Sequence, residues 1–409
     1  MNLVPVSLDS IRVGQPLPFS LVDQDGVLLA RKSFIVESRA HLEDIAGRGR
    51  GIFIDVADSD ALHRAYVDQL QILVRTDKSL GEIADIKLSA EAARKRVALN
   101  DGRVDWLDLQ EQTNFLLRDT NPTTFQERLA RIDQTLCAAA KRNPDGALFA
   151  LIYLSATETR MYSAIHAMLV SVMCGLACRE VLAWPEAVES LLCRIALTMN
   201  ISMTDQQDKL ALQVEPPTPV QRVIIDNHSQ ASVDLLRSLG VGDAVWLDTV
   251  REHHVQVPGT LASRTPAQRM ARLLQRADMF AARLAPRASR APISPAAAMQ
   301  ACYFDENRQV DEAGAALIKA VGIYQPGSFV RLATEEIAVV VKRGLNTSTP
   351  RVAVLINRSG VPTVEPTIRD TSQRDYRIVA SVAHREVKVN INLERMLALT
   401  ASPATDRPW

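Results

Sequence analysis

The first 60 residues alternate apolar and polar positions in short runs, a pattern typical of β-strands. Runs at 17–22 and 27–31 flank Asp23-Gln24-Asp25-Gly26, and the Asp-Gly step favours a tight hairpin. The pattern then predicts a short helix over 38–46 and a strand over 52–56. We therefore predict a small β-rich domain over residues 1–60.

Beyond this domain the apolar positions recur at helical spacing in a more polar background. The stretches 60–74 and 124–141 are amphipathic, and Asn121-Pro122 interrupts the pattern before the second of them. This pattern predicts a helical connector over 61–143, which is also a candidate dimerisation element.

From Pro144 the apolar residues follow three- and four-residue spacing as far as Val321, which indicates helix after helix. After Gly322 the period shortens to that of strands. The sequence thus predicts a mainly α protein: a helical bundle over 144–325, a β-extension over 326–400 with strands at 329–332, 337–341 and 351–356, and a tail over 401–409.

One apolar stretch, 161–178, is almost free of charge and close to the shortest length that spans a membrane. It contains His166 and is followed at once by Arg179 and Glu180. We interpret it as a buried core helix and expect no membrane insertion. The first residues lack the basic and apolar regions of a signal peptide, so a cytoplasmic location is expected.

Composition narrows the possible partners. The 409 residues carry 47 basic and 47 acidic side chains, and 47% of them are hydrophobic, as in an ordered, core-forming protein. With no net charge, no global field attracts nucleic acid, and we expect none to bind. Arg48 and Arg50, set between glycines, form either a phosphate cradle or a solvated turn.

The five cysteines lack CxxC spacing: Cys137, Cys174, Cys178, Cys193 and Cys302. Cys174 and Cys178 lie four apart on one apolar face, which is typical of small core residues in a reducing compartment. We therefore expect no cysteine-based metal site.

Histidines and one aspartate in the helical region carry the candidate chemistry: His166, His228, His253, His254 and Asp278. Imidazoles and carboxylates that project from several helices into one core can build a metal site. Taken singly, each has an ordinary alternative: a hydrogen-bonded core histidine, a surface pair or a helix carboxylate.

The order and spacing of these residues resemble the HD-GYP family, bacterial phosphodiesterases of cyclic di-GMP within the HD superfamily. Residues 162–166 resemble the family's YTxxH start, and 196–203 fall where it has an AxLHDIGK-like segment. His228 lies in a segment similar to HPxxGxxLL, His253-His254 match HHE, and 276–282 match the helix that carries the last aspartate.

The resemblance continues to about residue 360. Arg287 and Arg290 fall where the family has the basic residues of its DRPYR segment, which contact phosphate. Residues 322–328 are similar to the GxYPPGS entry into its C-terminal β-extension. The resemblance therefore implies the helical HD fold, a metal site at the five residues above and a cyclic-di-GMP cleft near the two arginines.

The departures from the family pattern concern catalysis. The His-Asp pair is replaced by Met199-Asn200, the following lysine by Met203, and the acidic residue after the histidines by Val255. The GYP loop is missing. In the family the aspartate of the pair bridges two metals that activate water, which a neutral amide does not do, and a thioether is a poor ligand for Fe or Mn.

The resemblance and its departures leave three hypotheses. The first is a catalytically degenerate HD-GYP-like protein that serves as a receptor, scaffold or regulatory partner in cyclic-di-GMP signalling. It would hold no cofactor or one weakly bound Fe or Mn, and it would act with a protein partner or as a homodimer. The second is an active metal-dependent phosphodiesterase with an altered site, and the third is an interaction module without metal or nucleotide.

Overall fold

The computed structural model describes residues 3–6, 8, 11, 13–14, 17, 19–31, 34–47, 51–55, 104–118, 121–157, 161–284, 295–389 and 391–401. The chain divides into two compact units, Met1–Arg103 and Val104–Trp409. Each unit is described below by itself.

The first unit contains a small antiparallel sheet of β1 (Leu3–Pro5), β2 (Leu21–Val22), β3 (Leu28–Ala30) and β4 (Phe53–Asp55), together with helix α1 (Arg39–Gly47). The strands lie in the order β1-β4-β2-β3. The Asp23 carboxylate accepts hydrogen bonds from the backbone of Asp25 and Val27, which closes the predicted hairpin. The hairpin, the helix and the last strand are thus confirmed. Arg48, Arg50 and the predicted helix at 60–74 lie outside the described residues.

The second unit is mainly helical. Its helices are α2 (Trp106–Arg118), α3 (Phe125–Arg142), α4 (Pro144–Thr157), α5 (Tyr162–Leu176), α6 (Glu186–Thr198), α7 (Thr204–Leu212), α8 (Pro219–Ser238), α9 (Ala244–Glu252), α10 (Pro266–Leu284), α11 (Pro295–Tyr303), α12 (Glu312–Val321) and α13 (Leu393–Ala401). A π-helical turn, Ala177–Leu182, extends α5.

Helix α5 is the centre of this unit, and every one of its residues is buried. Together with the π turn it is the one stretch among the described residues that is long and apolar enough to span a membrane, and 78% of its apolar window lies inside the protein. It packs against α4, α6 and α10. Its apolar composition is therefore explained by packing on all sides, as expected for a core helix.

The helices α2 and α3, which the sequence analysis assigned to the connector, pack into the core of the helical unit. Trp106, Leu116, Leu129 and Leu136 are buried in the same hydrophobic cluster as the residues of α5. The apolar stripe of each amphipathic helix needs a partner, and here α5 and α6 supply it. The packing boundary therefore lies near residue 104 and not at the predicted 143/144 boundary.

The C-terminal sheet is antiparallel and contains β5 (Phe329–Leu332), β6 (Ile337–Lys342), β7 (Arg351–Ile356), β8 (Pro362–Asp370) and β9 (Ile378–Val382). The strands lie in the order β8-β7-β6-β5-β9. The three predicted strands are confirmed. The sequence analysis did not place β8, β9 or the helix α13 that follows them, because their polar residues weaken the alternation.

The sheet is joined tightly to the helical body. Gly327, with φ +90°, lies so close to α4 that a Cβ there would be 2.8 Å from the carbonyl oxygen of Phe149. Arg343, directly after β6, donates from Nε to Asp145 Oδ1 at 2.7 Å, and α13 packs on α4. The predicted class is confirmed: a mainly α protein with a small N-terminal β-rich domain and a short C-terminal β-extension.

Candidate metal and ligand site

His166 owes its position to the capped start of α5. The Asp208 carboxylate, from α7, accepts a hydrogen bond of 2.7 Å from the backbone nitrogen of Ser163. An anionic acceptor there satisfies a free N–H and interacts favourably with the helix dipole. One turn further on, the His166 side chain is 97% buried and points towards α10.

Asp278, on α10, is the hydrogen-bond partner of His166. The imidazole Nε2 lies 2.7 Å from Asp278 Oδ1, and its Nδ1 lies 3.5 Å from the Tyr162 hydroxyl. Burial by itself would raise the pKa of Asp278, but the hydrogen bond and charge of His166, with the charges of His254 and His253, lower it below its ordinary value. Asp278 is therefore an ionised acceptor, and His166 Nε2 carries the donated proton.

His228 lies on α8, whose start is defined by local sequence. Thr218 and Gln221 form a reciprocal capping box, and Pro219 occupies the first turn. The first two turns stand exposed, and His228 is the first buried residue of the helix. Its Nδ1 donates a short hydrogen bond to the carbonyl oxygen of Ile225.

His253 lies at the C-terminal end of α9 and repeats this arrangement. Its Nδ1 lies 2.6 Å from the carbonyl oxygen of Val250, and the residue is completely buried. His254 follows it and is exposed. The potential ligand atoms of His228, His253 and His254 all lie within 4.8 Å of one another.

The two backbone contacts determine which nitrogen carries the proton. A carbonyl oxygen only accepts, so His228 and His253 both hold their proton on Nδ1 when neutral. Burial, opposed in part by the backbone hydrogen bonds, lowers the pKa of both, that of His253 to about 3. Their Nε2 atoms, 3.3 Å apart, therefore face each other as two lone pairs.

Facing lone pairs repel unless a cation lies between them. A tetrahedral zinc with Zn–N distances of about 2.0–2.1 Å holds its nitrogen ligands about 3.3–3.4 Å apart, as His228 and His253 Nε2 are here at 3.3 Å. A hydrogen bond from the other ring nitrogen to a backbone carbonyl is the usual way to orient such a ligand. His228, His253 and His254 therefore fit one cation.

The two groups of residues form one cluster. Burial lowers the pKa values of His228 and His253, and the nearby charge of Asp278 offsets part of this lowering, so the two groups are close enough to interact. The structure thus brings together all five residues singled out in the sequence. The role of each residue as a metal ligand stays a prediction.

Met199 and Asn200 lie beside His166, directly after α6. Both line a small cavity with His166, which has room for about one water molecule. Met199 is 1% exposed. The Asn200 Oδ1 atom is buried and has no hydrogen-bond partner among the described residues.

The residues present do not fit a second metal. A dinuclear site needs an anionic oxygen to bridge its two charges, and at this place the chain offers a neutral amide and a thioether. The donor set therefore supports one cation at the histidines and not a bridged pair. Arg287 and Arg290, the candidate phosphate-binding residues, lie outside the described residues.

A second group of potential ligands was missed in the sequence. Asp133, Cys137 and Cys193 also bring their ligand atoms within 4.8 Å of one another. The sequence signal for these two cysteines is an acidic residue four positions earlier: Asp133 before Cys137 and Glu189 before Cys193. Cys174 and Cys178 are buried core residues, as predicted.

Comparison with known proteins gives one distant structural match. No family model and no curated protein matches the chain. A solved structure described as Bd1817, a HDG"Y"P protein from Bdellovibrio bacteriovorus, is similar over 77% of this chain and 98% of its own, with 13% identity and a TM-score of 0.41. A match this distant assigns no role to any residue.

Proposed function

We propose that the chain is a catalytically degenerate HD-GYP-like protein, a receptor, scaffold or regulatory partner in bacterial cyclic-di-GMP signalling in the cytoplasm. The ordered series of motif-like segments supports this proposal, as does the assembly of His166, Asp278 and the three histidines in one helical core. Neither observation would be expected if the series of short resemblances were accidental.

One observation carries the loss of catalysis. Where the family would have its bridging carboxylate, Asn200 offers a buried amide oxygen that has no hydrogen-bond partner among the described residues, next to the thioether of Met199. An amide brings no negative charge to balance two divalent cations. With no bridging ligand, the water that such a pair would activate has no defined position.

His228, His253 and His254 are the residues that would hold a single Fe, Mn or Zn ion. When bound, such an ion would act as a Lewis acid that attracts a phosphate oxygen. The protein's own part is to keep both Nδ1 protons on backbone carbonyls, which aims the Nε2 lone pairs at one point. In this proposal the ion orients a ligand, and the nucleotide is bound without being cut.

The first test is metal content per chain in protein purified without oxygen and without chelators. We expect one Fe or Mn ion per chain or none. Two or more Fe or Mn ions per chain would contradict the degenerate site. Cyclic-di-GMP hydrolysis that is abolished by His253→Ala would contradict it as well.

A titration of cyclic di-GMP into the full chain tests the receptor role. We expect binding without turnover, weakened by Arg287→Ala and by Arg290→Ala, because guanidinium groups bind phosphate without a metal. The matched control is Arg237→Ala, an exposed arginine that pairs with Asp234 on α8. Equal affinity in all the variants would assign the arginines to a solvated helix end, and no binding would favour the pure interaction module.

A second candidate function is an active metal-dependent phosphodiesterase with an altered, mononuclear site. The facing Nε2 atoms of His228 and His253 favour it, because they form a preorganised ligand pair. It predicts one metal per chain and hydrolysis that His228→Ala and His253→Ala both abolish. Metal-loaded protein without hydrolysis would eliminate this candidate and leave the first in place.

A further inference from the structure

Two facing helices of the bundle carry the same short pattern. On α3, Asp133 precedes Cys137 by four residues, and on α6, Glu189 precedes Cys193 by four. Residues four apart lie on one face of a helix. Because α3 and α6 pack against each other, the two pairs meet inside the bundle.

The contacts between these side chains are close. Cys137 Sγ donates to Asp133 Oδ1 at 3.3 Å, and the ligand atoms of Asp133, Cys137 and Cys193 lie within 4.8 Å of one another. Gly175 of α5 leaves room beside them, since a Cβ there would lie 3.0 Å from Cys193 Sγ and 3.7 Å from Glu189 Oε1. A small cavity is lined by both cysteines and Glu189.

We propose that Asp133, Cys137 and Cys193 form a structural zinc site between α3 and α6, and that Glu189, which lines the adjoining cavity, supplies the fourth ligand. In a tetrahedral site, Zn–S distances of about 2.3 Å and Zn–O distances of about 2.1 Å separate the ligand atoms by about 3.6–3.8 Å. The Cys137–Asp133 distance of 3.3 Å is close to this value, and the limit of 4.8 Å leaves only a small movement for Cys193. Glu189 lies outside this group and would turn towards the metal from its ion pair with Arg179. Thiolate ligands favour zinc over Fe, Mn or Mg.

The charges balance when zinc binds. One Zn²⁺ displaces the proton from each thiol, so that two Zn–S bonds form and two protons leave for solvent. The two carboxylates are partnered at the rim by arginines, Arg179 with Glu189 at 2.6 Å and Arg194 with Asp133 at 3.9 Å. Zinc, two thiolates, two carboxylates and two guanidinium groups together carry no net charge.

Three of the four side chains are buried inside the bundle. Asp133 and Glu189 are 8% and 5% exposed, and Cys193 is 2% exposed.

The site would hold the helix that leads to the histidine cluster. The α6 helix carries Glu189 and Cys193 in its middle and is followed directly by Met199 and Asn200. Zinc would therefore fix α6 against α3 and stabilise the folded chain, since an ion that binds only the folded state raises its stability. It would take no part in chemistry at the histidines.

Cobalt substitution distinguishes the two candidate sites. We expect Co²⁺, added to reduced full-length protein, to give the near-ultraviolet sulfur-to-cobalt charge-transfer band that only thiolate ligands produce. Cys137→Ala and Cys193→Ala should each abolish the band, and His253→Ala should leave it intact. The matched control is Cys178→Ala, which removes a buried thiol outside the cluster.

Stability gives the second readout. In reduced protein that carries His253→Ala, so that the histidines no longer bind the metal, one equivalent of zinc should raise the Tm, with or without Cys178→Ala. Adding Cys193→Ala instead should remove that rise. Absence of the band in folded protein would overturn the proposal, as would a disulfide between Cys137 and Cys193 in freshly purified chain. Either result would leave the proposed function untouched, because that does not depend on the cysteines.

Discussion

The His166–Asp278 pair and the His228–His253 pair lie in one cluster but differ in how their polar atoms are satisfied. His166 donates its Nε2 proton to an ionised carboxylate at 2.7 Å, so that each partner meets the need of the other. His228 and His253 each donate a hydrogen bond from Nδ1 to a backbone carbonyl. Their unprotonated Nε2 atoms face each other at 3.3 Å.

This difference follows the types of residue around each pair. Around His166 the neighbours that would share a metal are Met199 and Asn200, and the histidine instead closes a hydrogen bond with Asp278. Around His228 the three imidazoles are all present, and their lone pairs still need a cation. His166 and Asp278 therefore satisfy each other, whereas the three imidazoles leave lone pairs that are free to bind a cation.

The largest expected effect comes from the double substitution Met199→His with Asn200→Asp. It would restore an imidazole and a bridging carboxylate next to His166, so we expect a second bound metal and an increase in cyclic-di-GMP hydrolysis on the order of 100-fold or more. Metal analysis and product chromatography measure both. The control is Met199→His alone, which supplies no bridge. An inactive double variant that binds two metals would show that the rest of the cleft has changed as well.

Acid should destabilise the metal-free protein through the neutral histidines. The pKa of His253 falls from an ordinary value of about 6.5 to about 3 in the folded state, because of burial. The unfolded chain therefore takes up the proton first. Stability is complete above pH 6.5 and falls towards pH 3, by about 1.4 kcal/mol per pH unit for this residue.

Urea unfolding of chelator-treated protein across this pH range measures the effect. His253→Gln should flatten the slope, because glutamine does not titrate. The His228 pKa is also lowered, by burial, and adds to the slope in the same direction. An unchanged slope in His253→Gln would mean that other groups take up the proton.

Asp278→Asn should weaken the contact between His166 and residue 278 and so lower the unfolding free energy. It replaces an ionised acceptor, 16% exposed, by a neutral amide opposite His166. A hydrogen bond to a charged group contributes about 1.5–3 kcal/mol, so we expect a loss of unfolding free energy in that range. Asp234→Asn on the exposed face of α8 is the control and should change little. An unchanged unfolding free energy in Asp278→Asn would contradict an ionised Asp278 acceptor.

The smallest expected effect comes from Asn200→Leu. Its buried Oδ1 lacks a partner among the described residues, so an apolar side chain of similar size should raise the unfolding free energy by about 1 kcal/mol. Thr198→Val provides the contrast, since Thr198 Oγ1 donates to the Arg194 carbonyl at 2.9 Å and its removal should destabilise. Destabilisation by Asn200→Leu would indicate that a water in the adjoining cavity satisfies the amide.

Much of the fold could be predicted from local signals. The Asp-Gly hairpin, the apolar helix around His166 and the strand runs after Gly322 all appear where their periodicity indicates. The packing boundary could not be predicted, because the polar faces of α2 and α3 conceal apolar stripes that are buried only against α5 and α6. The polar strands β8 and β9 were not predicted, because their apolar and polar residues alternate only weakly. They form strands through backbone pairing with β7 and β5.

The sequence could predict which residues belong to the candidate site, but not which of them contact each other. The order of His166, His228, His253-His254 and Asp278 indicated that they belong together. Nothing in the order shows that His166 bonds to Asp278 while His228 faces His253, because tautomers depend on the carbonyls of Ile225 and Val250. The thiol cluster required knowledge that α3 faces α6, which periodicity does not supply.

The close approach of Gly327 to Phe149 has a consequence for how the chain unfolds. Backbone in direct contact with backbone leaves no layer of side chains along which the sheet could slide or detach. Heating should therefore melt the β-extension and the helical body in one transition, as a single cooperative unit. The C-terminal strands would then not separate from the helical core while that core stayed folded.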